Sequence, residues 1–155
     1  MSKYNKFMRY DNTISLISKI REISSTFIIS ELEKLGMKGI VPSHGEIIVT
    51  LIKHGKLTMT EIAEKINKDR STVTTLVKKL NNIGFTATKK NESDHRSNFV
   101  FLTSKGKDLE EGFNHISEKL YEVQFKGLKE EEKEKEIFKR VLIKIYDDFK
   151  KEKQN

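Results

Sequence analysis

From Leu57 to Gly84 the chain reads LTMTEIAEKINKDRSTVTTLVKKLNNIG. Two short helices and a tight connector account for this stretch. Thr58 and Glu61 stand three apart, the spacing at which a hydroxyl and a carboxylate cap a helix start reciprocally. Ile62, Ala63 and Ile66 then make one apolar face. Asn67-Lys68-Asp69 is a connector, and Asp69 is the residue type that caps a helix start. In the second helix, positions 73, 76, 77 and 80 are apolar at the helical period, and Gly84 stops it. Opposite that stripe lie Ser71, Thr75 and Lys78, flanked by Thr72, Thr74 and Lys79. One helix braces a second, whose outer face carries small hydroxyls and ammonium groups.

Past Gly84 the period changes. Thr86, Ala87 and Thr88 suit an extended strand, Asn91-Glu92-Ser93-Asp94 a polar turn, and Ser97 to Thr103, β-branched and aromatic, a returning strand. The hairpin is therefore expected to have two strands. Upstream, Leu16, Ile20, Ile23 and Phe27 line one face of a helix over residues 11–35, which Gly36, Gly39 and Pro42 interrupt. A further helix is expected from Ser43, as its N-cap with Glu46 three residues on, to Gly55. Downstream, Thr103 is a cap candidate, and Phe113, Ile116, Leu120 and Val123 recur at helical spacing. The run KEEEKEKE reads as the solvated start of a last helix with Ile137, Val141, Ile145 and Phe149 on one stripe. The expected fold is mainly α with a small β-wing: a winged helix-turn-helix lobe plus a helical lobe made from both ends of the chain.

The chain has 155 residues, no cysteine and a formal net charge of +7. Without cysteine there is no disulfide, thiolate nucleophile, thiolate-bound zinc or thiol redox switch. The longest apolar run is Phe99 to Leu102, far short of the roughly 20 residues of a membrane helix. The start MSKYNKFMRYDN has no apolar signal-peptide core, so a cytoplasmic location without membrane association is expected. Residues 56–107 hold eleven bases and five acids, so nearly all the excess charge sits in the middle third. Such a concentration suits a polyanion. Of only five arginines, Arg70 and Arg96 fall here.

Leu57 to Gly106 resembles the DNA-binding lobe of the MarR family of bacterial transcription regulators. The matching residues are Leu57-Thr58-x-x-Glu61-Ile62-Ala63, Ser71-Thr72-Val73-Thr74-x-Leu76-Val77-x-x-Leu80-x-x-x-Gly84, Asp94-x-Arg96-Ser97 and Leu102-Thr103-x-x-Gly106. Pro42-Ser43-His44 also fits the family pattern. The resemblance implies one MarR-type chain over 1–155, with a winged helix-turn-helix at 43–106 and a dimerisation region at 11–42 and 107–151. It also implies that the terminal helices of two chains interlock, so that a homodimer meets a pseudo-palindromic operator. In the family the wing arginine, here Arg96, enters the minor groove, and the aspartate, here Asp94, holds or orients the wing. The chain departs from the family pattern at Thr75 and Lys79, where arginine is frequent, and at Thr88, where a base is common. Lysine replaces phosphate contacts but not the forked reading of guanine.

The DNA-binding candidates are Lys68, Arg70, Ser71, Thr72, Thr74, Thr75, Lys78, Lys79, Lys89, Lys90, Asp94 and Arg96. The family often answers to a small molecule held in a crevice between its lobes. His44 and Glu46 are the candidates nearest that place, for an effector whose chemistry the sequence does not specify. The family default is repression. His44, His54, His95 and His115 are scattered, so each reads as a surface or helix-end histidine, and neither metal nor cofactor is expected. Met37 and Met59 read as packing residues. No phosphate loop or catalytic triad is legible, so the chain is not expected to be an enzyme. The rival reading is a protein that coats nucleic acid, nucleoid DNA or RNA, without sequence preference.

Overall fold

The computed structural model describes residues 11–153 apart from His95, which places Met1, Met8 and His95 outside the description. Among the described residues, seven helices and three strands follow in order: α1 (Thr13–Lys34), α2 (Pro42–His54), β1 (Leu57–Thr58), α3 (Met59–Lys65), α4 (Arg70–Asn82), β2 (Thr86–Lys90), β3 (Asn98–Leu102), α5 (Ser104–Lys107), α6 (Glu110–Phe125) and α7 (Glu131–Glu152). The chain divides into two compact units at Asn114.

The core of the first unit is apolar and closely packed. Val73, Val77 and Leu80 from α4 are buried with Ile47, Ile48 and Leu51 of α2, Ile62 of α3 and Val100 of β3. Met37 joins this core as expected, while Met59 is half-buried. Gly45 lets α2 approach its neighbours: a Cβ there would lie 3.2 Å from Leu32 and 3.5 Å from Phe113.

The connector between α3 and α4 owes its tightness to Asn67. Its φ of 52° is left-handed, a conformation asparagine tolerates at a helix end. Two backbone bonds close the turn, from Asn67 N–H to Glu64 O and from Lys68 N–H to Ala63 O. Gly84 ends α4 in the same way, with φ 83° and a bond from Phe85 N–H to Leu80 O.

The sheet has three strands in the order β1-β3-β2, all antiparallel. The expected two-stranded hairpin is β2 with β3, and β1 adds a third strand that was not expected. Leu57 and Thr58 pair with Val100 and Phe99, a two-residue strand too short to show a period. The start of α2 also differs from expectation. Val41, not Ser43, is the N-cap residue, because Pro42 opens the helix at a position where its missing N–H is no loss. Val41 has no polar side chain, so His44 Nδ1 accepts the Val41 N–H at 3.0 Å, as Glu46 was expected to do for Ser43.

The second unit contains most of α6 and all of α7. The charge run at its α6–α7 turn is not wholly solvated. Lys135 is buried, its ammonium over the rings of Tyr121 (4.3 Å) and Phe125 (5.4 Å). It donates to the Tyr121 hydroxyl and, at 2.8 Å, to Glu132. These acceptors hold its pKa above the ordinary lysine value.

Candidate nucleic-acid interface

Helix α4 begins with a dense cap. The Asp69 carboxylate accepts the Thr72 N–H at 2.8 Å, the Thr72 hydroxyl at 2.6 Å and the Ser71 hydroxyl at 2.5 Å. Three donors on one carboxylate stabilise its charged form and hold its pKa well below the carboxylate range, the two hydroxyls contributing most. One turn on, the Thr74 hydroxyl donates to Arg70 O at 2.8 Å and the Thr75 hydroxyl to Ser71 O at 3.2 Å. The apolar stripe turns Ser71, Thr74, Thr75 and Lys78 into solvent, while Thr72 and Lys79 are half-buried. Lys68 and Arg70 are exposed at the helix start.

The wing tip is built by side chains that cap one another. Asn91 Oδ1 accepts the N–H groups of Ser93 and Asp94, and its Nδ2 donates to Ser97 Oγ at 2.9 Å. Asp94 Oδ1 accepts the Arg96 N–H at 3.1 Å and its Nε–H at 3.3 Å. This tether leaves the Arg96 side chain 94% exposed. Lys89 and Lys90 stand exposed on β2, with Lys89 4.0 Å from Glu92. On the outer face of the sheet, Lys56, Lys89, Lys90, Phe99 and Phe101 are among the residues around a cleft of about 190 Å³.

Helix and wing are joined by side-chain hydrogen bonds that the sequence reading did not foresee. Asn81, on α4, accepts the buried Thr86 hydroxyl at 2.5 Å and donates to Thr88 Oγ1 at 2.9 Å. Thr88, where the resembling family commonly has a base, therefore ties β2 to α4. An amide late in a helix, followed by alternating threonines, was the only cue available.

Some of the positive charge is engaged elsewhere. Lys105 donates to Ile83 O at 2.8 Å, at the C-terminal end of α4, and lies 4.4 Å from the Phe85 ring centroid. Lys56 lies over Phe99 at 4.9 Å. Lys79 reaches toward the α1–α2 loop, where its Nζ would be 3.8 Å from a Cβ on Gly39.

His44 and Glu46 separate. Glu46 is exposed, but His44 is 5% exposed, so it is a helix-end histidine as expected and not a surface one. Its Nε2 has no hydrogen-bond partner among the described residues. Burial, chiefly, lowers its pKa, and the Lys79 charge adds to the effect. Among the described residues no three His, Asp or Glu side chains gather as metal ligands do, and no helix is long and apolar enough to cross a membrane.

A model of the MarR family matches residues 40–97, from the end of the α1–α2 loop to the far side of the wing turn. No curated protein matches the chain. Solved structures do. The MepR–DNA complex of S. aureus is 25% identical, with a TM-score of 0.76 over 87% of this chain and 96% of that one. A MarR transcriptional regulator from Methanosarcina mazei is 24% identical, with a TM-score of 0.74 over 88% of this chain and 95% of that one. A MarR protein from Peptoclostridium difficile reaches a TM-score of 0.82 at 15% identity, over 98% of this chain and 95% of that one.

Proposed function

Because the chain belongs to the MarR family of winged-helix proteins, we propose that it is a DNA-binding transcription regulator. In this reading a cytoplasmic homodimer recognises a pseudo-palindromic double-stranded operator and represses transcription until a small-molecule effector binds. Residues 43–106 read the DNA, and 11–42 with 107–151 hold the dimer.

One observation carries the reading. Helix α4 buries Val73, Leu76, Val77 and Leu80 and turns a hydroxyl-and-lysine face outward. Asn81 ties that helix to the strand leading to Arg96. A helix offering short polar side chains fits a major groove about 12 Å wide. An extended arginine fits the narrow, electronegative minor groove of A·T-rich DNA.

The homodimer is supported by apolar side chains that a lone chain leaves in water. On α1 these are Ile14, Leu16, Ile20 and Ile23, and on α7 they include Ile137, Phe138, Val141, Ile143 and Phe149. Ile23 is 72% exposed and Phe149 61%. Stripes of this kind mark association surfaces. For the effector, the start of α2 offers the unpartnered Nε2 of His44 and the exposed carboxylate of Glu46.

Selection of bound sites from random duplexes, followed by titration, tests the reading. The selected site is expected to be an inverted repeat bound roughly 10³-fold or more above random duplex. Equal affinity for both points instead to the coating protein. Sedimentation across protein concentrations that finds only monomer refutes the homodimer.

A further inference from the structure

The hydroxyl protons of α4 already have fixed destinations. Ser71 and Thr72 give theirs to the Asp69 carboxylate, Thr74 to Arg70 O and Thr75 to Ser71 O. A backbone carbonyl only accepts, and so does an ionised carboxylate. The donors around Asp69 keep it ionised at neutral pH. A hydroxyl has one proton and two lone pairs. With the proton committed inward, each of the four offers an incoming partner lone pairs alone.

The geometry points to Asp69 as a positioning residue for specificity: it fixes Ser71 and Thr72 as hydrogen-bond acceptors, so that α4 selects amino-bearing bases. This inference rests on the sequence-specific DNA binding proposed above. In the major groove adenine N6 and cytosine N4 donate, whereas guanine N7 and O6 and thymine O4 accept. An acceptor-only hydroxyl therefore favours A or C over G or T at the strand position it faces. Opposite G or T two lone pairs confront each other, and a desolvated acceptor is left unpaired. Exposed Lys78 and Arg70 supply donors to the same surface. The helix then divides its reading, with hydroxyls for amino groups and cations for carbonyls and phosphates.

Asp69→Asn isolates the effect, because Asn matches Asp as an N-cap residue. Its amide oxygen still accepts the Thr72 N–H. Its NH₂ donates into a hydroxyl that formerly donated, which turns that proton outward. The experiment selects sites from random duplexes with the full-length wild type, Asp69→Asn, Ser71→Ala and Thr72→Val. Ranked duplexes are then titrated at fixed salt, and melting curves check each fold. The positions concerned are those whose preference Ser71→Ala or Thr72→Val erases.

Wild type is expected to prefer A or C there by roughly three- to tenfold per contact. Asp69→Asn is expected to keep the half-site spacing and to lose or reverse that preference at one position or more. Removing a negative charge near phosphates also raises affinity for all duplexes alike. A uniform rise with unchanged base preference therefore overturns the inference and leaves the regulator reading intact. A wild type that selects no motif overturns the regulator reading first, and this inference with it.

Discussion

Replacing Gly106 with alanine tests why the motif Leu102-Thr103-x-x-Gly106 exists. A Cβ at Gly106 would lie 2.0 Å from the Phe85 carbonyl oxygen, 3.1 Å from its carbon and 3.2 Å from Leu102 Cδ2. Carbon and oxygen in ordinary contact stay about 3.3 Å or more apart. The backbone must therefore open by more than about 1 Å, because no rotamer change moves a main-chain oxygen. That oxygen is already engaged, accepting the Thr103 N–H at 3.1 Å and the Thr103 hydroxyl at 3.3 Å. Phe85 itself is 2% exposed. Overpacking costs about 1–3 kcal/mol, and each weakened hydrogen bond adds about 1 kcal/mol. Gly106→Ala is expected to lose about 3 kcal/mol or more in total. For a chain of this size that lowers Tm by about 6–12 °C. Gly112→Ala is the control. Its Cβ would meet Leu35 Cδ2 at 2.6 Å and Cδ1 at 2.8 Å, the far end of a half-buried side chain that rotates away. Alanine also favours α6 by up to about 1 kcal/mol, so this variant should melt within about 3 °C of wild type. Thermal unfolding at one protein concentration reads both, since association makes Tm depend on concentration. If Gly106→Ala melts as Gly112→Ala does, the carbonyl obstacle is not what the glycine serves.

Four further outcomes are expected. Arg96→Ala should lower operator affinity about tenfold or more with an unchanged Tm, since the side chain is 94% exposed and, among the described residues, is held by Asp94; equal affinity in a gel-shift titration removes Arg96 from the interface. Lys89→Ala should weaken every duplex alike and reduce the slope of log K against log salt by about 1.8, about 0.9 for each chain of the proposed homodimer; an unaltered slope denies it a phosphate. Asn81→Ala should cost about 1–3 kcal/mol, because the buried Thr86 hydroxyl loses its acceptor; chemical denaturation that finds no loss disproves the bridge. His44 has a lowered pKa in the fold, so below pH 6.5 the unfolded chain binds the proton first and stability declines as pH falls toward the folded value. His44→Gln keeps an acceptor for Val41 N–H and should flatten the decline of Tm as pH falls below about 6.5; parallel curves for the two proteins contradict this.

What the sequence made legible is whatever a local rule decides. The 73, 76, 77, 80 period placed the buried face of α4, and Asp69, Thr58 with Glu61, and Thr103 all cap the helices they precede. Each cap is complete within four residues and the period within eight. The misses are long-range or conditional. Strand β1 exists only because β3 lies beside it, and His44 caps α2 only because Pro42 shifts the helix start back to Val41. Lys135 is buried because the Tyr121 and Phe125 rings cover it from fourteen and ten residues away. The same limit applies to the charge count that first suggested a polyanion. Lys105 serves the C-terminal end of α4, Lys56 covers Phe99 and Lys79 turns toward Gly39. Two of the eleven bases in residues 56–107, Lys56 and Lys105, thus have partners within the fold, and in the proposed complex the exposed bases left for phosphates are Lys65, Lys68, Arg70, Lys78, Lys89, Lys90, Arg96 and Lys107, with Lys79 half-buried. Net charge measures how strongly a segment attracts a polyanion from a distance, whereas the free donors that remain after folding decide what it grips on contact. The salt slope of operator binding follows the second quantity, and so should be set by this smaller group of side chains in each protomer.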